Sequence, residues 1–313
     1  MHFDSPFFSN LFATAQQVLI LYILITVGFA ADKLGIYTEK ASRLNTNLLF
    51  YIVTPMVIVN SFISMDNSPE HIKGLGLAIL CSFGFHFIGM ILILPLFRKG
   101  DIRQCGIYRF ACMYGNCGYM ALPLAQAILG DIGVFYCSAA VMVFNVVSFT
   151  HGITILGAQK DGFDIKKLLI NPGTIGVAIG MPLFLLRVKL PVIIATPVSA
   201  LASLNTPLAM LIFGTYLANT DLKTMFKNAN IYLVSLIKLI VLPLIVLGLL
   251  TLAKVPTPLR VAMTLVSAAP SANNTVVLAG KYDLDTGVAS KTVGLVSFLS
   301  IITMPVMIAL AQM

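Results

Sequence analysis

The chain has 313 residues, of which 58% are hydrophobic and only 10% are charged, and its net charge is +8. Soluble domains carry about 25% charged residues, so this composition excludes a water-soluble fold and predicts an all-α polytopic membrane protein. The basic residues stand between apolar segments, where they set membrane orientation, so the positive charge does not indicate a nucleic-acid partner.

Apolar segments long enough to cross a bilayer as helices recur along the chain, separated by short polar turns. They predict ten spans, at residues 13–31, 44–65, 74–97, 105–129, 132–158, 172–188, 197–218, 230–253, 259–280 and 286–312. The first segment has no basic residue before it and no small-residue cleavage site after it, so we interpret it as a retained span. The longest connection, QKDGFDIKKLLINP, divides the chain into two halves of five spans, residues 1–158 and 159–313.

The basic residues are distributed unevenly between the two sides. If the N-terminus lies outside, most of the basic residues fall in inner loops. Arg98, Lys99 and Arg103, for example, share one such loop. Lys189 and Lys254 are among the few on the outer side. This asymmetry predicts a multi-pass protein of the cell membrane, either a plasma or an inner membrane, with both termini on the outer side.

Short stretches of the two halves match each other at a common offset of about 150 residues. VTPMVIVNSF matches NTPLAMLIFG, and YRFACMYGNCGYMALPLAQAILG matches LRVAMTLVSAAPSANNTVVLAGK. The second pair sets Arg109 opposite Arg260 and Asn116 opposite Ser267. Because each half has an odd number of spans, these repeats are expected to be inverted across the membrane, as in secondary transporters.

The matching fourth and ninth spans are each interrupted, by GNCGYMALP and by AAPSANN. The predicted helix-breaking residues are Gly115, Gly118, Pro123 and Pro270. Unpaired backbone groups in lipid cost several kcal/mol, so a break persists only where protein buries it or water reaches it. We therefore expect helices 4 and 9 to cross near the midplane, where half-helix N-termini favour an anion.

Neutral polar side chains accompany the two breaks. Asn116, Ser271, Asn273 and Asn274 offer donors and acceptors either to a ligand or, as caps, to the broken backbone itself. Asn145, deep in the fifth span, is expected either to point into the same cavity or to form an interhelical hydrogen bond.

All 12 carboxylates fall in loops or at span ends, which disfavours carboxylate-type sodium or proton coupling. The remaining ionisable groups within spans are His86, His151 and Lys238. His86 is either a neutral histidine bonded to the backbone or part of a proton relay. Lys238 either snorkels to the membrane surface or attracts an anion. The five cysteines form no metal-binding pattern, so we expect no metal and no cofactor.

The chain resembles the auxin efflux carrier family over essentially its whole length. The resemblance is carried by ADKLGIYTEKASRLNTNLLFYIVTPMVI, by GNCGYMALPLAQAILG with Asn116 and Pro123, and by SAAPSANNTVVLAGKY with Pro270 and Tyr282. The chain departs from the plant auxin exporters at Thr275, where they have a second proline.

The resemblance implies a homodimer that exports or takes up a small organic anion, with no enzymatic activity. It implies a scaffold of helices 1, 2, 6 and 7 and a moving transport part of helices 3–5 and 8–10. It also implies substrate contacts at Asn116, at Asn145 and in the ninth span after Pro270, and we add Tyr119 to the candidate substrate-binding residues. This architecture is similar to that of sodium/proton antiporters and bile-acid symporters.

The expected function is that of a permease for a mono- or dicarboxylate or an auxin-like acid, working by alternating access. The open alternatives are a sodium-coupled symporter of the bile-acid type and a transporter-like sensor that binds without moving its ligand. An intramembrane enzyme is disfavoured, because the sequence contains no HExxH, no GxSxG and no paired intramembrane carboxylates.

Overall fold

The computed structural model describes residues 6–98, 101–156, 171–219, 226 and 228–313. These residues form helices, and the described part of the chain contains no β-strand beyond one isolated bridge. The helices are α1 Pro6–Lys33, α2 Glu39–Ser64, α3 Pro69–Ile93, α4 Ile102–Met113, α5 Leu122–Leu129, α6 Asp131–Ile155, α7 Pro172–Leu185, α8 Val192–Ala218, α9 Ala229–Leu252, α10 Thr257–Ala268, α11 Asn274–Lys281 and α12 Thr286–Gln312.

Six of the described helices, α2, α3, α6, α8, α9 and α12, are long and apolar enough to cross a membrane, and α7 is a shorter apolar helix. The described part of the chain is thus all-helical and has the character of a multi-pass membrane protein, as the composition predicted. The count of ten spans and their inverted-repeat relation stay predictions. Residues 159–170, most of the central loop, lie outside the described residues, together with their lysines.

Three of the long helices contain a π-helical turn, at Leu49–Val53, Ser148–Gly152 and Ile237–Val241. In α2 and α9 a proline follows the wide turn within two residues, at Pro55 and Pro243. A wide turn absorbs the missing N–H and the bulk of proline without ending the helix.

The helices pack as two groups. The first helix group contains α1, α2, α7 and α8, in which α1 packs along α8 and α2 packs on α7 and α8. The second helix group contains α3 to α6 and α9 to α12, in which α3 packs on α6 and α10 packs on α6, α9 and α12. Contacts of α2 and α7 with α6 join the groups, and the fully buried rings of Phe62 in α2 and Phe135 in α6 pack on each other there, with centroids 5.1 Å apart.

Small residues allow the closest approach within the first helix group. A Cβ atom at Gly28 of α1 would lie only 2.8 Å from the Cα atom of Leu211 in α8. Gly214 meets the backbone of α1 in the same way. Membrane helices commonly associate through such glycine contacts, because lipid provides no hydrophobic force between them.

Candidate functional site

Two helices of the second group are interrupted. The first break covers residues 114–116, between α4 and a π-helical turn that begins at Cys117. The second break covers residues 269–273, between α10 and α11. Pro270 lacks a backbone N–H and clashes with the preceding turn, which favours the end of α10 at this point.

The two breaks lie side by side and pair through their backbones. The Asn116 N–H donates to the Pro270 carbonyl at 2.7 Å, and the Ala272 N–H donates to the Tyr114 carbonyl at 2.9 Å. This is the hydrogen-bond pattern of an antiparallel pair, and it satisfies backbone groups that broken helices would leave unpaired in lipid. The broken helices therefore meet, as the sequence predicted.

The first break is shorter than the motif GNCGYMALP. Gly118 lies in the π-helical turn Cys117–Ala121, and Pro123 lies in the first turn of α5, so both residues are helical. Pro123 follows that wide turn within two residues, as Pro55 and Pro243 do in α2 and α9, and the wide turn accommodates its missing N–H and its bulk. Of the four predicted helix-breaking residues, Gly115 and Pro270 stand in the breaks.

The second break also comes later than the sequence match implied. If the helix ends at Met113 and Ala268 are set opposite each other, the second break is displaced by about one helical turn. Ser267 is consequently no counterpart of Asn116. It lies inside α10, where its hydroxyl donates to the Thr264 carbonyl at 2.8 Å.

Two cavities border the breaks. The larger has a volume of about 600 Å³ and lies between the helix groups, with α2 and α8 on one side and the breaks and α12 on the other. The smaller, of about 50 Å³, lies against the breaks, α2, α6 and the start of α7. Asn116 and Asn273 line both cavities, so they stand where the two cavities adjoin.

The N-terminus of α11 presents donors to these cavities. Asn273 is in the N-cap position, but its side chain makes no capping hydrogen bond, and it is exposed. The backbone amides of Asn273 and Asn274 have no hydrogen-bond partner among the described residues. Free amides at a helix N-terminus, with the partial positive charge of the helix dipole, form a ready anion site.

The other predicted contacts have different surroundings. The Asn145 amide donates to Asn171 Oδ1 at 3.0 Å and to Thr174 Oγ1 at 3.2 Å, which links α6 to the start of α7. This is the interhelical bond that the sequence left open, although Asn145 also lines the smaller cavity. The Ser271 hydroxyl is fully buried and donates to the Ala111 carbonyl at 2.8 Å, so it holds the second break against the last turn of α4.

Tyr119 and Thr275 each lie in the helical turn that follows one of the breaks. The backbone of Tyr119 lies in the π-helical turn, while its side chain lies outside the part of the structure that is described. Thr275, where the plant exporters have proline, is in the first turn of α11, and its N–H donates to the Ala272 carbonyl at 3.0 Å. A proline there would remove that bond.

The two histidines flank Tyr114 of the first break. His86 is 2% exposed, its Nδ1 lies 2.7 Å from the Ser82 carbonyl, and its ring centroid lies 6.1 Å from that of Tyr114. The Tyr114 hydroxyl donates to the Val147 carbonyl at 3.0 Å and lies 3.1 Å from His151 Nδ1. His86 thus has the backbone partner expected of a neutral buried histidine.

Lys238, in the π-helical turn of α9, is 1% exposed. Its ammonium nitrogen does not snorkel to the surface but donates to the Ser267 carbonyl at 2.9 Å, beside the second break.

The larger cavity also contains residues that the sequence analysis did not select. Glu39, Ser42, Arg43 and Thr46 line it from α2, and Lys291 lines it from α12. Their spacing in α2 puts them on one helix face, but the stretch Glu39–Leu48 is polar on its other faces too, and most of these residues precede the predicted apolar span, so the sequence did not single them out. Arg43 is paired with Glu39 at 2.6 Å, whereas Lys291 is exposed at the cavity wall and adds a basic side chain to it.

Comparison with known proteins identifies the class of this molecule as a membrane transporter. Residues 13–308 match the family described as membrane transport protein, so the chain belongs to that family, the auxin efflux carrier family.

An uncharacterized transporter of Methanocaldococcus jannaschii is 25% identical over 277 residues, covering 86% of this chain and 89% of the relative. The "Putative malonate transporter" of Rhizobium meliloti is 23% identical, covering 91% and 92%. An uncharacterized transporter of Methanothermobacter thermautotrophicus is 23% identical, covering 93% and 96%.

Proposed function

We propose that this protein is a secondary transporter for a small organic anion, a mono- or dicarboxylate. The observation that carries the proposal is the N-terminus of α11, whose unpartnered amides at Asn273 and Asn274 border the cavities where the two breaks meet. Asn116 adds an amide side chain from the opposite break. Neutral donors and helix dipoles bind a carboxylate without requiring a cation.

The packing of the helices supports alternating access as the mechanism. The larger cavity lies between the two helix groups, with one wall from each. A displacement of the second group, which contains both breaks, against the first group would close this cavity and open a path on the other side. The first group then corresponds to the scaffold and the second to the transport part, in an assembly that we propose to be a homodimer.

The membrane potential is the driving force that we expect. No carboxylate lies in the middle of a predicted span, so a tightly bound sodium ion lacks its usual charged ligand. A potential of 100 mV supplies about 2.3 kcal/mol per elementary charge, which corresponds to a gradient of tens-fold.

The test is flux through the purified protein in liposomes, with malonate first and then a panel of small mono- and dicarboxylates. We expect uptake that follows an imposed potential and that persists when potassium replaces sodium at fixed potential. Strict sodium dependence would instead support a bile-acid-type symporter. Binding without flux would support a sensor, and neither binding nor flux for the whole panel would contradict the organic-anion assignment.

A further inference from the structure

Lys238 is the one cation that the described residues place fully inside the second helix group. It is 1% exposed and lies near the middle of α9, in the π-helical turn Ile237–Val241. In the described part of the chain no carboxylate lies within ion-pair distance of its ammonium group. A buried charge of this kind is costly inside a membrane unless other groups compensate it.

The ammonium group reaches the contact between the two breaks. It donates to the carbonyl of Ser267, in the last turn of α10. A Cβ atom at Gly115, in the first break, would lie 2.9 Å from Lys238 Nζ and 3.0 Å from the Ala269 carbonyl oxygen. Lys238 therefore touches both broken helices at once, and glycine at position 115 leaves the room for it.

Part of the positive charge is compensated at this place. The C-terminal end of α10, at Ser267, carries roughly half an elementary negative charge from the helix dipole. The rest has no carboxylate partner among the described residues, and Lys238 does not line either cavity. Gly115, which does line the smaller cavity, separates the ammonium group from the space where Asn116 and Asn273 stand.

We propose that Lys238 is a positioning residue that gives the ligand site beside the two breaks a preference for an anion over a neutral ligand of the same shape. It acts through its charge across Gly115 and through its bond to Ser267, without touching the ligand. This inference rests on the proposed function. Because Lys238 is buried, water screens its charge less than it screens a surface charge, so an anion in the adjoining cavity contributes to the neutralisation of Lys238.

A purely structural role makes a different prediction. If Lys238 only bonded the Ser267 carbonyl of α10, its replacement would loosen the contact between the two breaks. The affinities for charged and neutral ligands would then fall by the same factor. If the charge of Lys238 sets the preference, its replacement would lower the affinity for the anion alone. The ratio of the two affinities therefore separates the roles, whatever happens to overall stability.

The experiment compares the affinities of malonate and of its uncharged diamide, malonamide, in the purified full-length protein. If another carboxylate of the panel binds better, that acid and its amide are used. Lys238→Gln is the main variant, because it removes the charge and keeps a donor for Ser267. Lys238→Arg keeps the charge, and Lys189→Met removes an exposed charge elsewhere as the matched control.

We expect Lys238→Gln to reduce the preference for the acid at least tenfold, with little change in affinity for the amide. Lys238→Arg and Lys189→Met should retain the preference of the unsubstituted protein. If Lys238→Gln does not melt cooperatively, Lys238→Met is measured in its place. Equal loss for acid and amide, or an unchanged ratio, would overturn this inference and leave the transporter assignment standing. Failure of the unsubstituted protein to bind any acid would overturn both.

Discussion

Asn116 occupies the point where the two cavities adjoin, and its backbone is already engaged with Pro270. Replacing it by alanine removes only the side-chain amide and preserves the pairing of the breaks. We expect Asn116→Ala to lower substrate affinity by about 1–3 kcal/mol, roughly 5- to 150-fold, since the carboxylate loses a hydrogen-bonding partner. Calorimetric titration with the substrate found in the flux assay measures this.

Ser267→Ala is the matched control, because Ser267 lies close to the same crossing but its hydroxyl bonds within α10 and lines neither cavity. The substrate affinity of Ser267→Ala should stay within about twofold of that of the unsubstituted protein. A properly folded Asn116→Ala protein with unchanged affinity would refute the assignment of Asn116 to the site.

Residue types at the breaks were readable from the sequence, while the direction of each side chain was not. Asn, Ser and Pro within an apolar span indicate a polar interruption, which the structure has. Which of them face a cavity depends on the twist of the broken chain, and this sends Ser271 towards Ala111 while Asn273 stays exposed. Nor does sequence reveal that Lys238 reaches Ser267 from another helix.

For the helices, the glycines of the first break provide a direct comparison. A Cβ atom at Gly115 would crowd Lys238 and the Ala269 carbonyl, whereas a Cβ atom at Gly118 would meet nothing within 4 Å. We expect Gly115→Ala to destabilise the protein by about 1–3 kcal/mol, because it forces the two broken helices apart. Thermal melting in detergent measures the effect.

Gly118→Ala should melt at nearly the same temperature as the unsubstituted protein, since alanine also has the higher helix propensity. Equal melting temperatures for Gly115→Ala and Gly118→Ala would contradict the tight contact described at Gly115.

The six long apolar helices of the described residues followed from apolar length, and the presence of two breaks followed from Gly115 and Pro270. The exact register of the two breaks did not follow from the sequence. A gap-free alignment sets Asn116 opposite Ser267, whereas the helix before the second break runs about one turn further. Pairing between distant segments depends on how the helices approach in space, and single-sequence periodicity carries no such information.

For the molecule as a whole, the distribution of basic residues predicts the orientation in the membrane. In a variant lacking the five native cysteines, Lys189→Cys should react with an impermeant maleimide added from outside. Arg98→Cys should react only after permeabilisation. Both side chains are exposed in the structure, so accessibility differs only through the membrane. Labelling of Arg98→Cys in intact cells would reverse the predicted topology.

The pairing of the breaks has a consequence for how the protein is made. The Asn116 N–H and the Tyr114 carbonyl find their partners at Pro270 and Ala272, about half the chain later in synthesis. While the ribosome is still extending the second half, these groups have no such partner, and each unpaired group in lipid costs several kcal/mol. We therefore expect the nascent first half to stay loosely inserted, dependent on the translocon or on water, until α10 and α11 emerge.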